Sequence, residues 1–327
     1  MKTRRLGNSD LVVSAVGLGC MSMTPFYGVP DEAEAKATLR RAVDVGVTLF
    51  DTALYYGDGR NEEIVGSTLK QFRGDVTLAT KCGVYVKHEG GSGHRADAEY
   101  VRQCCDASLH RLQSDVIDLW YVHRVDPETP VEETIGAMGR CVEAGKVRAL
   151  GICEVKPETL RRAHATYPIT ALQSEYSLWT REPEGELLDT CRELGISLVP
   201  YSPLGRGFFT GTVKSRDDLR DQDRRESFPR FAEENLASNQ TLLATVEEIA
   251  RANDCTPGQV ALAWVLAQGD DIVPIPGTRR VAYVEENAAA AGVTLDAADL
   301  ATLERVFPKG AAAGNRVPDG HLPYLNQ

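Results

Sequence analysis

The sequence predicts an α/β fold, a (β/α)8 TIM barrel, from three observations. Short β-branched runs alternate with longer stretches of helical period, eight of each. The strand-like runs are apolar on both faces, the pattern of a parallel sheet covered by helices. At 327 residues, this count of units favours a closed barrel over an open doubly wound sheet.

The strand candidates are residues 16–19, 47–50, 76–80, 117–122, 147–151, 171–173, 197–200 and 272–275. Helical patterns fall at 31–45, 61–72, 98–112, 131–144, 157–165, 184–194, 257–267 and 280–291. Thr256 stands before Pro257, a cap ahead of a proline at the first helical position. Gly46, Gly145 and Gly195 stand between a helix and the next strand, where a left-handed cap is wanted. Residues 1–13 alternate around Gly7-Asn8 and predict a hairpin closing the bottom of the barrel. Residues 238–252 predict an extra helix. A glycine-rich stretch at 90–93 follows the third strand, and an irregular one at 202–235 follows the seventh. Both lie at strand C-terminal ends, the face on which barrel active sites are built, and long loops there are usually functional. No composition shift marks a linker, so residues 1–327 are read as a single domain.

Composition narrows the function. Hydrophobic residues make up 43% and charged residues 25%, which excludes wholesale disorder and collagen-like repeats. Against 36 Lys and Arg stand 47 Asp and Glu, a formal net charge of −11. Such a chain offers no global field for a phosphate backbone, so no nucleic-acid partner is expected. Apolar stretches such as residues 260–267 are too short to span a bilayer. No membrane partner is expected, and the reading is cytoplasmic. The 8 cysteines are scattered without a C-x-x-C pair and read as small buried hydrophobes. His88 and His94 flank the glycine-rich loop without ligand spacing, and no metal is expected.

The chemistry gathers at three successive strand ends. Asp51 ends the second strand and opens the string Asp51-Thr52-Ala53-Leu54-Tyr55-Tyr56-Gly57. Lys81 ends the third and His123 the fourth. A tyrosine is a poor acid at neutral pH, with a pKa of about 10. A neighbouring ammonium stabilises the phenolate and lowers that value. Lysine needs a counter-charge, which Asp51 supplies, and a histidine can orient a carbonyl. Singly, these residues read as a helix cap, an ion pair and a core imidazole. Together on one rim they suit protonation of an alkoxide as it forms.

These motifs resemble the aldo-keto reductases, in their bacterial and plant branch. The likeness runs nearly end to end. Gly17-Leu18-Gly19-Cys20-Met21 resembles the opening strand, and Leu119-Trp120-Tyr121-Val122-His123-Arg124-Val125-Asp126 the histidine strand. Tyr201-Ser202-Pro203-Leu204-Gly205-Arg206-Gly207 resembles the segment that clamps the cofactor. Ile275-Pro276-Gly277-Thr278-Arg279-Arg280, with Glu286-Asn287 following, resembles the adenine and 2′-phosphate site.

The resemblance implies an NADP(H)-dependent reductase of aldehyde or ketone carbonyls. Tyr56 would be the general acid, tuned by Lys81, which Asp51 pairs, with His123 placing the carbonyl. Gly19, Cys20, Met21 and Asp51 would line the cofactor. Gln173 would bind the carboxamide, with Cys153 standing where relatives carry Ser or Asn, and Tyr201 would stack on the nicotinamide. Ser202, Pro203, Leu204, Gly205 and Gly207 would cover the pyrophosphate. Pro276, Gly277, Thr278 and Arg279 belong to the adenine and 2′-phosphate segment, with Arg279 meeting the 2′-phosphate. Glu286 and Asn287 would hold adenine, and Tyr283, where many relatives carry Arg or Gln, would stack on adenine or simply pack. The alternative is a cofactor-binding regulatory subunit resembling channel β-subunits. A metal-dependent barrel hydrolase would need more histidines at strand ends than His123 alone.

Overall fold

The structure, a computed structural model, describes residues 1–87, 92–219 and 221–325. His88 and the Gly90-Gly91 part of the glycine-rich loop lie outside the described residues, as do the last two residues of the C-terminal segment.

The chain opens with a hairpin, β1 (Thr3–Arg5) against β2 (Val12–Ser14). Alternating units follow: β3 (Leu18–Gly19), α1 (Glu32–Asp44), β4 (Leu49–Asp51), α2 (Arg60–Leu69) and β5 (Thr77–Cys82). A second hairpin, β6 (Val84–Val86) with β7 (Ser92–His94), is inserted before α3 (Ala98–Leu112). Then come β8 (Ile117–Val122), α4 (Val131–Glu143), β9 (Val147–Cys153), α5 (Pro157–Thr166), β10 (Ile169–Glu175), α6 (Glu186–Leu194) and β11 (Ser197–Tyr201). The long segment after β11 runs through short turns into α7 (Glu233–Ala252), α8 (Pro257–Ala267), α9 (Val281–Ala289) and α10 (Ala297–Val306).

Seven parallel strands form one sheet in the order β11-β10-β9-β8-β5-β4-β3. The eighth expected strand closes the barrel without forming a regular ladder, and its prolines explain why. The Val273 and Ile275 N–H groups donate to Leu198 and Pro200 of β11 at 2.9 and 3.0 Å. On the other side, Pro274 and Pro276 accept from Gly17 and Gly19 at 2.9 and 3.2 Å. Proline has no N–H to return, so that edge keeps only half of its bonds.

Inward-facing side chains of successive strands, among them Leu49, Ala79, Leu119, Tyr121, Ala149 and Val199, fill the barrel. Leu6, Leu11 and Val13 of the first hairpin join that cluster, so the hairpin plugs the bottom as expected. Thr256 caps α8 by accepting from the Gln259 N–H at 3.2 Å, and Gln259 returns a bond to the Thr256 N–H at 3.0 Å. Two elements went unread in the sequence: the β6–β7 hairpin and α10, which Asp296 caps by accepting from Ala298 and Asp299. Among the described residues, no helix is long and apolar enough to cross a membrane.

Candidate active site

The parallel register brings the strand ends to one level, with Gly19 beside Asp51 and Lys81 beside Tyr121. Lys81 is fully buried and Asp51 is 3% exposed. The Lys81 ammonium uses its three donors on three partners: Asp51 Oδ1, Thr52 O at 2.8 Å and the Tyr56 hydroxyl at 3.3 Å. The second oxygen of Asp51 accepts from Gln173 Nε2 at 2.8 Å. The His123 ring meets Tyr56 edge-on at 5.7 Å and Tyr55 at 6.3 Å. The expected set of Asp51, Tyr56, Lys81 and His123 therefore converges at one mouth.

A tight turn after β4 delivers Tyr56. Gly57 has φ +60°, and a Cβ there would come within 2.8 Å of Thr24 Cγ2, so the turn requires glycine. Asn61, fully buried on α2, ties the turn to the neighbouring loop. It accepts from Thr52 Oγ1 at 2.7 Å and donates to Cys20 O at 2.9 Å and Thr24 Oγ1 at 3.1 Å. Behind β5, buried Glu62 accepts from Thr80 Oγ1 and Arg111 Nε, both at 2.6 Å. Sequence reasoning missed both residues. Their one signal was a pair of adjacent polar side chains at a helix start, which usually face water.

The electrostatics modify one expectation. Burial pushes the Tyr56 hydroxyl up from its ordinary value, and the Lys81 ammonium pulls against that rise without cancelling it. Tyr56 is therefore a neutral phenol, able to donate a proton. Burial alone would lower the Lys81 ammonium, but Asp51 and Tyr56 outweigh it and hold it above the usual lysine value. Burial pushes Asp51 up, while Lys81 and Gln173 favour its carboxylate. Burial, then Arg124 and Lys81, hold the His123 imidazole well below its ordinary value. It is neutral at pH 7, and its Nδ1 is buried without a hydrogen-bond partner.

The expected cofactor residues lie at strand ends, on the segments that follow them and on α9. Gly19 and Gly277 bridge across the barrel closure. A Cβ on Gly277 would meet nothing nearer than Gly19 O at 3.4 Å, leaving backbone open to a ligand. Cys20 is buried and its thiol is pushed up by burial; Met21 begins a short turn. Tyr201 is half-buried against the interior cluster. After it, Ser202, Gly205 and Gly207 take left-handed conformations, with φ of 50°, 57° and 89°. Pro203 and Leu204 sit within that coil, which Trp179 anchors by stacking on Phe208 at 4.4 Å. Pro276 and Thr278 are buried. On α9, Tyr283 is exposed with the Arg280 guanidinium 5.6 Å from its ring centre. Glu286 accepts from Thr256 Oγ1 at 2.7 Å, and Asn287 is buried. Arg279 is buried too, and its guanidinium donates to Tyr27 O at 3.0 Å and to Ser22 O and Gly28 O at 3.3 Å. It thereby holds the loop between β3 and α1.

Cys153 is 1% exposed within the apolar interior cluster, and burial pushes its thiol up to about 12. Cys153→Ser should place a hydroxyl there at a cost of about 1–3 kcal/mol in the ligand-free protein. Cofactor affinity should hold or tighten, because a hydroxyl is the stronger hydrogen-bonding group. Thermal melts and a cofactor titration check both outcomes.

This arrangement fits a dinucleotide. An aromatic face at Tyr201, the Gln173 amide, an orphaned imidazole nitrogen and one glycine, Gly277, open to close approach, occur at this end of the barrel. Among the described residues, no group of three or more His, Cys, Asp or Glu is placed to hold a metal ion.

Fold and mouth define a parallel α/β barrel with its polar site at the strand C-terminal ends. The chain belongs to the aldo/keto reductase family, whose model matches residues 15–307. The probable aldo-keto reductase 1 of Glycine max is 44% identical over 323 residues, spanning 97% of this chain and 92% of that protein. The aldo-keto reductase yakc of Schizosaccharomyces pombe, whose name specifies NADP(+), is 45% identical over 324 residues, spanning 97% and 95%. The solved glycerol dehydrogenase of Gluconobacter oxydans superposes with a TM-score of 0.85 at 26% identity, covering 96% of this chain and 97% of that one.

Proposed function

We propose that this oxidoreductase reduces aldehyde or ketone carbonyls with NADP(H), in the cytoplasm, residues 1–327 acting as one domain. The observation that carries the reading is the Lys81 ammonium, paired with Asp51 and in contact with the Tyr56 hydroxyl at 3.3 Å. NADPH, when bound, supplies the hydride. Gln173 and Cys153 would hold its carboxamide and Tyr201 its ring. The coil from Ser202 to Gly207 would cover the pyrophosphate. Pro276 to Arg279 would face the 2′-phosphate, and Tyr283, Glu286 and Asn287 the adenine. Tyr56 donates its proton to the carbonyl oxygen as charge develops there. Neutral His123 donates one N–H and orients the carbonyl. Lys81 stabilises the phenolate left behind.

The complete set of four favours turnover over a purely regulatory role. NADPH oxidation with a panel of aldehydes tests this. Turnover supports the reading, whereas tight NADPH binding with no turnover on any carbonyl would favour the regulatory subunit.

Cofactor choice gives a second test. Arg279 brings a permanent charge to the 2′-phosphate segment while it holds the 22–28 loop. Arg279→Ala should lower the unfolding free energy by about 2 kcal/mol, the order of a charged-donor hydrogen bond. It should also weaken NADPH by about ten- to a hundredfold and NADH much less. Urea denaturation and two cofactor titrations measure these effects. Equal losses for both cofactors would confine Arg279 to the loop.

A further inference from the structure

Arg124 follows His123 at the end of β8, so it stands at the same mouth. Its Nη1 donates to the His123 carbonyl, leaving most of its five donors for other partners. Burial works against its charge, but Tyr201, Glu154, Cys153 and Tyr56, all groups of this mouth, outweigh it and hold the guanidinium above its ordinary value.

The buried carboxylates of this rim already have cations. Asp51 has Lys81. Glu154 is held by two bonds from Arg316, at 3.0 and 2.7 Å. Glu175 has Arg206 at 2.9 Å and Arg230 at 3.6 Å. Among the described residues, Arg124 has no carboxylate within ion-pair distance. This is notable in a chain of net charge −11, where acidic side chains are plentiful. Its remaining N–H donors, half-buried beside His123, are open to the paired acceptor oxygens that an arriving anion supplies. In the strand order, β8 stands on the wall opposite the 272–277 segment. That placement separates Arg124 from the proposed 2′-phosphate contacts and keeps it beside His123.

We propose that Arg124 is a specificity-determining residue, and that the preferred substrates are carbonyl compounds carrying a carboxylate. The planar fork of arginine matches a carboxylate by two parallel hydrogen bonds. The proposal rests on the reading of Tyr56 as proton donor at this mouth.

The test compares 4-formylbenzoate with its methyl ester, which share a reacting aldehyde and differ in charge. With NADPH, the wild type should favour the carboxylate in kcat/KM by about ten- to a hundredfold, the scale of a charge-assisted bond. Arg124→Met should bring the ratio close to one, chiefly by raising KM for the carboxylate. Arg124→Lys, which keeps the charge but not the fork, should restore part of the preference. A wild-type ratio of one or less overturns the proposal. So does an Arg124→Met variant that loses equally on both substrates while its melting temperature falls, which would make Arg124 structural. Failure here is distinct from failure of the catalytic reading. If Tyr56→Phe leaves turnover of the neutral ester intact, the site itself is wrong; if it abolishes that turnover and the ratio is still one, only the selectivity claim falls.

Discussion

Tyr56→Phe is expected to cut carbonyl reduction by about 10²–10⁴, the usual worth of a positioned general acid, and to leave cofactor binding largely intact. Removing the hydroxyl removes the group that Lys81 contacts at 3.3 Å and with it the proposed proton donor. The ring remains, so the edge contact with His123 at 5.7 Å and the turn around Gly57 should survive. Tyr55 is the internal control. It also reaches the mouth, with its ring 6.3 Å from His123, but no hydrogen bond joins it to Lys81. Tyr55→Phe should change the rate only mildly. Steady-state kinetics on both variants decide the matter, and a severe Tyr55 phenotype beside a mild Tyr56 one would reverse the assignment.

The convergence of the candidate site was legible because strand ends are legible. Asp51, Lys81 and His123 each close a short apolar run, and a parallel barrel aligns such positions at one level whatever the intervening helices do. The loops gave less. Arg279 was read toward a phosphate from its place between an extended segment and a helix. Its hydrogen bonds to Ser22, Tyr27 and Gly28 connect residues some 250 positions apart, which no local pattern reports. The Glu154–Arg316 pair is of the same kind: a carboxylate next to Cys153 meets an arginine near the C-terminus. The eighth strand reads as extended, and its irregular pairing does not show in the sequence. Pro274 and Pro276 were visible, but which edge their missing N–H groups would face depends on the closure of the barrel. The direction of the Tyr56 shift also escaped the sequence, since neighbouring charges can be guessed from strand ends and burial cannot.

Lys81→Met should have the broadest effect of any single change at the mouth, because one ammonium serves two functions. For catalysis, it is the group proposed to stabilise phenolate at Tyr56. Without it the Tyr56 value, already raised by burial, rises further, and the phenol becomes a weaker acid. Reduction should fall by about 10²–10⁴, and the alkaline limb of the remaining rate profile should move to higher pH. For stability, the change strands Asp51, 3% exposed, with only the Gln173 amide for support. Removing one partner of a buried ion pair typically costs about 3–5 kcal/mol. The pH dependence of that loss follows from its sign. Burial already pushes Asp51 up, and the Lys81 ammonium is the strongest influence against that rise. In the variant, its folded pKa therefore stands further above its unfolded value. Such a group leaves stability intact below its unfolded pKa and removes it as pH climbs through the folded one. The deficit should thus be small in acid and grow toward neutrality, which urea unfolding across that range measures. Asp51→Asn in the Lys81→Met background separates the two functions. It removes the stranded carboxylate and should recover much of the stability, but none of the rate, because phenolate still lacks its cation. If the double variant regained activity, or if Lys81→Met kept the wild-type pH–rate profile, the coupling between Lys81 and Tyr56 would be absent.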